Sequence, residues 1–189
     1  MMAKITFVLG GARSGKSAFA EGLAKKYKEV SYIATAEAND DEMRERIQSH
    51  RVRRPLSWKT FESPYHVDTV VSGCNDKAGL ILIDCITLYI TNMLLRSEPA
   101  NSTSCSNMRD DVSKQRRERI LAEIRSLNQV CRESGSDVII ISNEVGLGIV
   151  PDNALSREFR DIAGYANQIL ASEADEVYFV VAGIAQRIK

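Results

Sequence analysis

The sequence predicts an α/β fold, a mostly parallel twisted sheet with helices on both faces, and three observations carry that expectation. Apolar, β-rich runs recur as "KITFVLG", "VSYIATA", "GLILIDC", "DVIIISNEV" and "EVYFVVAG". Most of them lack in/out alternation, which is how strands buried on both faces read. Helical stripes lie between them: Phe19, Leu23 and Tyr27 repeat every four residues, and Leu155, Phe159, Ile162, Ala166 and Ile169 trace a second stripe. The third observation is the glycine-rich segment "GGARSGKS", which joins the first apolar run to the first helical stripe.

The 189 residues suffice for one well-buried core but not for two, so a single domain spanning 1–189 is expected. Lys plus Arg and Asp plus Glu each number 25, leaving no net field to hold a nucleic acid or an anionic membrane. Small-molecule chemistry fits better. Cys74, Cys85, Cys105 and Cys131 show neither C-x-x-C spacing nor a dense framework, so neither a zinc site nor a disulfide scaffold is expected. The apolar run "ITFVLGG" is too short to span a bilayer and runs into glycines rather than a cleavage site. A cytoplasmic location follows as an expectation.

Along the chain, "DDEMRERIQSH" reads as a short helix, acidic first and basic later, in accord with the helix dipole. Residues 96–111, "RSEPANSTSCSNMRDD", form a polar excursion between an apolar helical segment and the charged helical pattern "KQRRERILAEIRSLNQV". It reads as a surface loop, with a lid as the alternative. No internal repeat or heptad run is evident.

The segment Gly10, Gly11, Ala12, Arg13, Ser14, Gly15, Lys16, Ser17 has the spacing G-x-x-x-x-G-K-S in the strand-to-helix context a P-loop requires. Its glycines let successive N–H groups curl around phosphates. The helix N-terminus adds positive potential, Lys16 reaches the outer phosphates, and Ser17 can ligate Mg2+. Asp84, at the end of "LILID", stands where a Walker-B carboxylate would help hold that ion, although an aspartate there can also be a turn residue with Thr87 as a helix cap. The turns at Ala34-Thr35-Ala36 and at Asn143, Glu144, Gly146 and Gly148 follow strands. They should border the site, because ligands in open α/β sheets collect outside the strands' carboxyl ends. For Gly146 and Gly148, simple turn chemistry is an equal reading.

Met43, Ile47 and His50 share one helical face, and His50 precedes Arg51, Arg53 and Arg54. On pattern alone His50 is either a buried, satisfied histidine or a group facing a cleft, and the arginines are either a solvated rim or a phosphate clamp. Guanidinium forks suit phosphate oxygens, and positive surroundings keep an imidazole neutral. A neutral imidazole can attack an α-phosphorus, expel pyrophosphate and carry the nucleotide as a phosphoramidate. The arginines would then neutralise the developing charge. His66, in "SPYHVD", has no such cluster and reads as structural or exposed.

Together "GGARSGKS", "YIATA", "DDEMRERIQSHRVRRPLSWKTFE", "LILIDCITLYITNML" and the segment from "SNEVGLGIVP" to "YFVVAGI" resemble the bifunctional adenosylcobinamide kinase / adenosylcobinamide-phosphate guanylyltransferase family, over nearly the whole chain apart from the polar excursion. The resemblance implies a RecA-like P-loop NTPase fold, a homotrimer, and two reactions late in cobalamin (vitamin B12) biosynthesis. ATP or GTP phosphorylates adenosylcobinamide. GTP then gives GMP to a histidine, and adenosylcobinamide phosphate takes it to form adenosylcobinamide-GDP, with pyrophosphate released. Carried over residue by residue, the resemblance makes His50 the guanylylated histidine, with Lys16 as the second catalytic residue. It assigns nucleotide contacts to Gly10 through Ser17, Ala34, Thr35, Ala36, Arg51, Val52, Arg53, Arg54, Glu62 and Asp84, with Ser17 and Asp84 as Mg2+ ligands.

Asp84 stands where some members carry glutamate, and Ser49 where some carry a second histidine, which leaves His50 as the segment's only candidate. Glu62, by itself a surface glutamate, gains a chemical rationale, because a carboxylate can accept from both N1–H and the N2 amino group of guanine. Two other readings remain for the residues alone: a simple P-loop kinase of a small alcohol without a covalent nucleotide, and a GTP-binding switch without transfer chemistry.

Overall fold

A computed structural model describes residues 3–38, 41–74, 79–96 and 106–189, with the backbone alone described at residues 42, 46, 50, 53 and 106–110. Cys105 and the first part of the polar excursion lie outside the described residues. The core is a seven-stranded sheet of order β3-β2-β4-β5-β1-β6-β7. Its strands are β1 (Ile5–Gly10), β2 (Val30–Ala34), β3 (Lys59–Glu62), β4 (Leu80–Asp84), β5 (Asp137–Asn143), β6 (Glu176–Val181) and β7 (Ile184–Arg187). All pairings are parallel except β6 with β7.

The apolar runs become strands because both of their faces are covered. Ile5, Phe7 and Leu9 of β1, Ile81 and Ile83 of β4, and Val138 and Ile140 of β5 meet α3 (Val67–Cys74), α4 (Ile86–Arg96), α5 (Ser106–Glu133) and α6 (Ala154–Glu173). Val8, Leu80, Leu82, Ile139 and Ile141 point to the opposite face, under Ala20 and Ala24 of α1 (Lys16–Ala24). Phe19, Leu23 and Tyr27 flank that second cluster, and the α6 stripe of Leu155, Phe159, Ile162, Ala166 and Ile169 packs on the first, as the four-residue spacing predicts. The remaining helix, α2 (Asp41–Arg53), extends past the expected "DDEMRERIQSH" through Arg53.

Several features differ from the sequence reading. Strand β3 was not expected, because its four residues are exposed and it sits at the sheet edge, where no burial pattern marks it. β7 was not expected either. It is formed by a two-residue hairpin in which Ala182 and Gly183 both take positive φ (51° and 80°), the geometry of a type I′ turn. The polar excursion is shorter than 96–111, since Arg96 closes α4 and residues from Ser106 onward already belong to α5. Its Ser/Asn-rich composition hid the start of a long helix that is then anchored by Ile120, Leu121, Ile124 and Leu127. Thr87 lies inside α4 rather than capping it; Cys85 precedes the helix, and its carbonyl accepts from the Tyr89 N–H at 3.1 Å. His66 is exposed at the head of α3, with a positive φ of 54°. Cys74, Cys85 and Cys131 are free thiols. Among the described residues no helix is long and apolar enough to cross a membrane.

Two stability predictions follow from the way the elements are tied. Asn153 caps α6 by accepting the Ser156 N–H at 2.7 Å, so Asn153→Ala should lower the unfolding free energy by about 1 kcal/mol in a denaturant titration. The Asp175 carboxyl is held below its ordinary value of 3.8, first by the Ile5 N–H and further by Arg132. A depressed carboxyl stabilises above its unfolded value, and that contribution disappears as pH falls through the lowered folded one. Asp175→Asn should therefore shallow the loss of stability as pH falls below about 4, measured as unfolding midpoint against pH.

Candidate nucleotide-binding site

The register of the parallel strands brings the candidate residues together. Ala34 pairs with both Glu62 and Asp84, Asp84 with Ile141, and Asn143 with Gly10, so β3, β2, β4, β5 and β1 all end along one edge. Beyond that edge lies a cavity of about 330 Å³. Lys16, Ser17, Ala34, Ala36, Arg51, Arg54, Glu62 and Asp84 line it, each of them a residue singled out from the sequence. Met43, Arg44, Ile47 and Gln48 of α2 form part of its wall, so α2 sits across the carboxyl ends of the sheet.

The P-loop turns sharply after β1. Gly15 takes φ 96°, a conformation that favours glycine, and a Cβ there would come within 3.0 Å of the Gly183 Cα. A Cβ on Gly10 would sit 2.5 Å from the Val180 carbonyl oxygen. The Gly183 N–H donates to the Ser14 carbonyl at 2.8 Å, so the β6–β7 hairpin supports the loop from behind. Lys16 is buried, and its ammonium donates to the Gly11 carbonyl at 3.1 Å. Arg13 also holds a positive φ, 57°, within the turn.

Asp84 is not on the strand next to the P-loop strand. β5 intervenes, and Asn143 at its end also lines the cavity. The Asn143 side-chain amide donates to Thr87 Oγ1 at 2.8 Å, and its main-chain carbonyl accepts from Asn167 at 3.1 Å. Thr35 does not line the cavity. It is fully buried, its hydroxyl donates to the Cys85 carbonyl and accepts the Cys85 N–H, both at 2.8 Å, and its own N–H donates to the Asp84 carbonyl at 3.1 Å. The threonine thus fastens the end of β2 to the end of β4 instead of facing the cavity. Val52 is 76% exposed and also lies off the cavity.

The side chains of His50 and Arg53 lie outside the described residues; the backbone of each is helical within α2. His50 follows Ile47 by three residues and precedes Arg51 by one, in the stretch of helix that supplies the cavity wall. Arg51 and Glu62 form an ion pair between α2 and β3, both about half exposed.

Tyr32 was not singled out in the sequence, where it reads only as an apolar strand residue. It is 1% exposed yet lines the cavity, and its hydroxyl donates to Asp84 Oδ2 at 2.6 Å. Burial, with the Asp84 charge adding to it, pushes the phenol well above 10, so it stays a donor at any physiological pH. Burial likewise raises the Cys85 thiol, which lines the same cavity and is therefore held in the unreactive protonated form.

Among the described residues there is no cluster of three or more His, Cys, Asp and Glu that would make an all-protein metal cage. One carboxylate and one hydroxyl, from Asp84 and Ser17, do face the cavity together with Lys16. That donor set fits Mg2+, a hard cation that takes one or two protein oxygens and completes its shell with water and substrate phosphates. The loop geometry yields a test: Gly10→Ala places a methyl against backbone and should lower the unfolding free energy by at least about 2 kcal/mol, read from a denaturant curve.

Comparison with known proteins agrees with this architecture. The model of the CobU family, cobinamide kinase / cobinamide phosphate guanyltransferase, matches residues 6–188. The bifunctional adenosylcobalamin biosynthesis protein CobU of Salmonella typhimurium is 44% identical over 182 residues, covering 96% of this chain and 98% of that protein. The Pseudomonas aeruginosa protein CobP, of the same bifunctional description, is 39% identical over 183 residues, 96% of this chain and 95% of its own. Among solved structures, a prototypical ATPase from the type III secretion system of pathogenic bacteria superposes with a TM-score of 0.56 at 10% identity, covering 98% of this chain and 57% of that one, which shows a shared fold. With the P-loop, the in-register strand ends and a match along almost its whole length, the chain belongs to the cobinamide kinase / cobinamide phosphate guanyltransferase family.

Proposed function

We propose that this chain is a bifunctional transferase that uses one triphosphate pocket for two reactions. The observation that carries the reading is a single cavity walled by Lys16, Ser17, Asp84, Arg51, Arg54 and Glu62, at the point where a P-loop meets the basic end of α2. In the first reaction the hydroxyl of adenosylcobinamide attacks the γ-phosphorus of ATP or GTP. An O–P bond forms, the bond to the β-phosphate oxygen breaks, the nucleoside diphosphate leaves, and the hydroxyl proton passes to solvent. In the second reaction the His50 imidazole attacks the α-phosphorus of GTP, an N–P bond forms, and pyrophosphate leaves. A phosphate oxygen of adenosylcobinamide phosphate then attacks the same phosphorus, which frees the imidazole and yields adenosylcobinamide-GDP.

Each lining residue has a task in this scheme. The P-loop N–H groups and Lys16 hold the phosphates, and Arg51 and Arg54, joined by Arg53 from the same basic run, stabilise the charge that builds on the α-phosphate and on the departing pyrophosphate; the Arg53 part rests on the family resemblance. Mg2+ held by Ser17 and Asp84 would neutralise charge on the outer phosphates. Glu62 reads the N1–H and N2 amino edge of guanine. Its pairing with Arg51 is no obstacle, because a half-exposed ion pair is worth about 1 kcal/mol or less and exchanges readily for a charge-assisted contact to the base. Thr35 contributes by holding the Ala34-Thr35-Ala36 turn against β4, which leaves the flanking alanines at the cavity surface. The reading includes a cytoplasmic homotrimer.

Incubation with Mg2+ and GTP labelled at the α-phosphorus, followed by denaturation, tests it. The expected result is an acid-labile, alkali-stable adduct on the wild-type chain and none on His50→Ala. An adduct that persists in His50→Ala, or a wild type that never forms one, would reject the guanylyl-histidine. Corrinoid-dependent consumption of the γ-phosphate tests the kinase half and separates an enzyme from a nucleotide-dependent switch.

A further inference from the structure

We propose that Tyr32 is a positioning residue of this site, setting the Asp84 carboxylate and the Arg54 guanidinium in register with each other. The proposal rests on the nucleotide-binding reading above and adds a residue to it. One rigid side chain touches both groups: the phenol hydroxyl holds Asp84 Oδ2 at 2.6 Å, and the Arg54 Cζ lies 3.5 Å from the centroid of the ring. Trp58 stacks at 6.3 Å between centroids with planes 25° apart, and Tyr32 is itself 1% exposed, so the ring cannot drift.

The chemistry of the two contacts explains the arrangement. A carboxylate and a guanidinium in one small cavity attract each other, and a direct pair would occupy the oxygens a cation needs and the donors a phosphate needs. Tyr32 meets the carboxylate at its edge and the guanidinium over its face. It gives Asp84 a neutral donor at Oδ2. It gives Arg54 a quadrupole in place of an anion; the Arg54 Nε is buried with no hydrogen-bond partner among the described residues, so the ring contact stands where an acceptor would. Both groups line the same cavity from different elements, Asp84 at the end of β4 and Arg54 just past the end of α2. Tyr32, in the strand hydrogen-bonded to β4, is thus the shared reference for the carboxylate wall and the arginine wall.

Equilibrium binding of GTP, measured in EDTA and again in saturating Mg2+, separates the two contacts. Tyr32→Phe keeps the ring and removes the hydroxyl: affinity in EDTA should match wild type, while the gain in affinity on adding Mg2+ should shrink about tenfold. Arg54→Ala should do the reverse, weakening binding in EDTA about fivefold and leaving the Mg2+ gain intact. Tyr32→Leu should show both losses, and adding Arg54→Ala to it should cost no more. A merely structural role would lower stability without splitting these terms, so unfolding midpoints are recorded alongside. A wild-type Mg2+ gain in Tyr32→Phe, or full additivity of Tyr32→Leu with Arg54→Ala, overturns the proposal. Should Tyr32→Leu not fold, Tyr32→Phe and Arg54→Ala still decide it, and the outcome is independent of adduct formation: a wild type that binds Mg2+ and GTP without labelling would retire the guanylyl-histidine step alone.

Discussion

The whole architecture depends on one constraint, the burial of the central strands on both faces. Residues of β1, β4 and β5 alternate between a cluster under α3, α4, α5 and α6 and a second cluster under α1. With both faces of the central strands covered, their ends are left to meet a ligand, and parallel pairing puts the carboxyl ends of those strands on one side. Gly10, Ala34, Glu62, Asp84 and Asn143 stand along one edge because their strands run in register. The site is therefore a by-product of how the core is built.

The polar edge of such a sheet has to be held without closing it, and the chain does this with side chains that bond to backbone. Thr35 ties the ends of β2 and β4 together with three hydrogen bonds, and Asn92 adds a fourth by donating to the Thr35 carbonyl at 2.8 Å. The β6–β7 hairpin holds the P-loop by a backbone bond, the Gly183 N–H donating to the Ser14 carbonyl. Buried polar groups satisfied in this way rigidify the loops at little cost, whereas an unpaired one would destabilise them. What is left facing the cavity includes groups whose chemistry suits a metal-bound phosphate chain: the Lys16 ammonium, the Arg51 and Arg54 guanidiniums, the Ser17 hydroxyl and the Asp84 carboxylate, with Glu62 and Tyr32 beside them.

Much of this is legible in the sequence because it rests on local signals. The P-loop is a contiguous spacing, the five long apolar runs all become strands, and the stripes on α1 and α6 face the core their spacing assigns. The edge strands β3 and β7 were illegible for a physical reason: an exposed edge has no burial to impress a pattern on its residues, and β7 exists because a two-residue turn folds the chain back. The start of α5 was hidden by composition, since a helix anchored by its later residues tolerates a polar first turn. Thr35 and Val52 show that membership of a motif does not by itself put a side chain on the cavity. A contiguous stretch of sequence alternates in space, so neighbours of a lining residue point elsewhere, Thr35 into the protein and Val52 to solvent.

By itself the sequence determined the fold class, the P-loop and the identity of the basic helix, because hydrophobic period, glycine spacing and charge order act over a few residues at a time. The tertiary structure alone decided which of those residues share a cavity. Tyr32 reads as one more apolar residue in a strand, and only the pairing of β2 with β4 and the return of α2 across the sheet bring its hydroxyl to Asp84 and its ring beneath Arg54. Contacts between residues tens of positions apart depend on register and helix placement, which a single chain read in order does not encode locally.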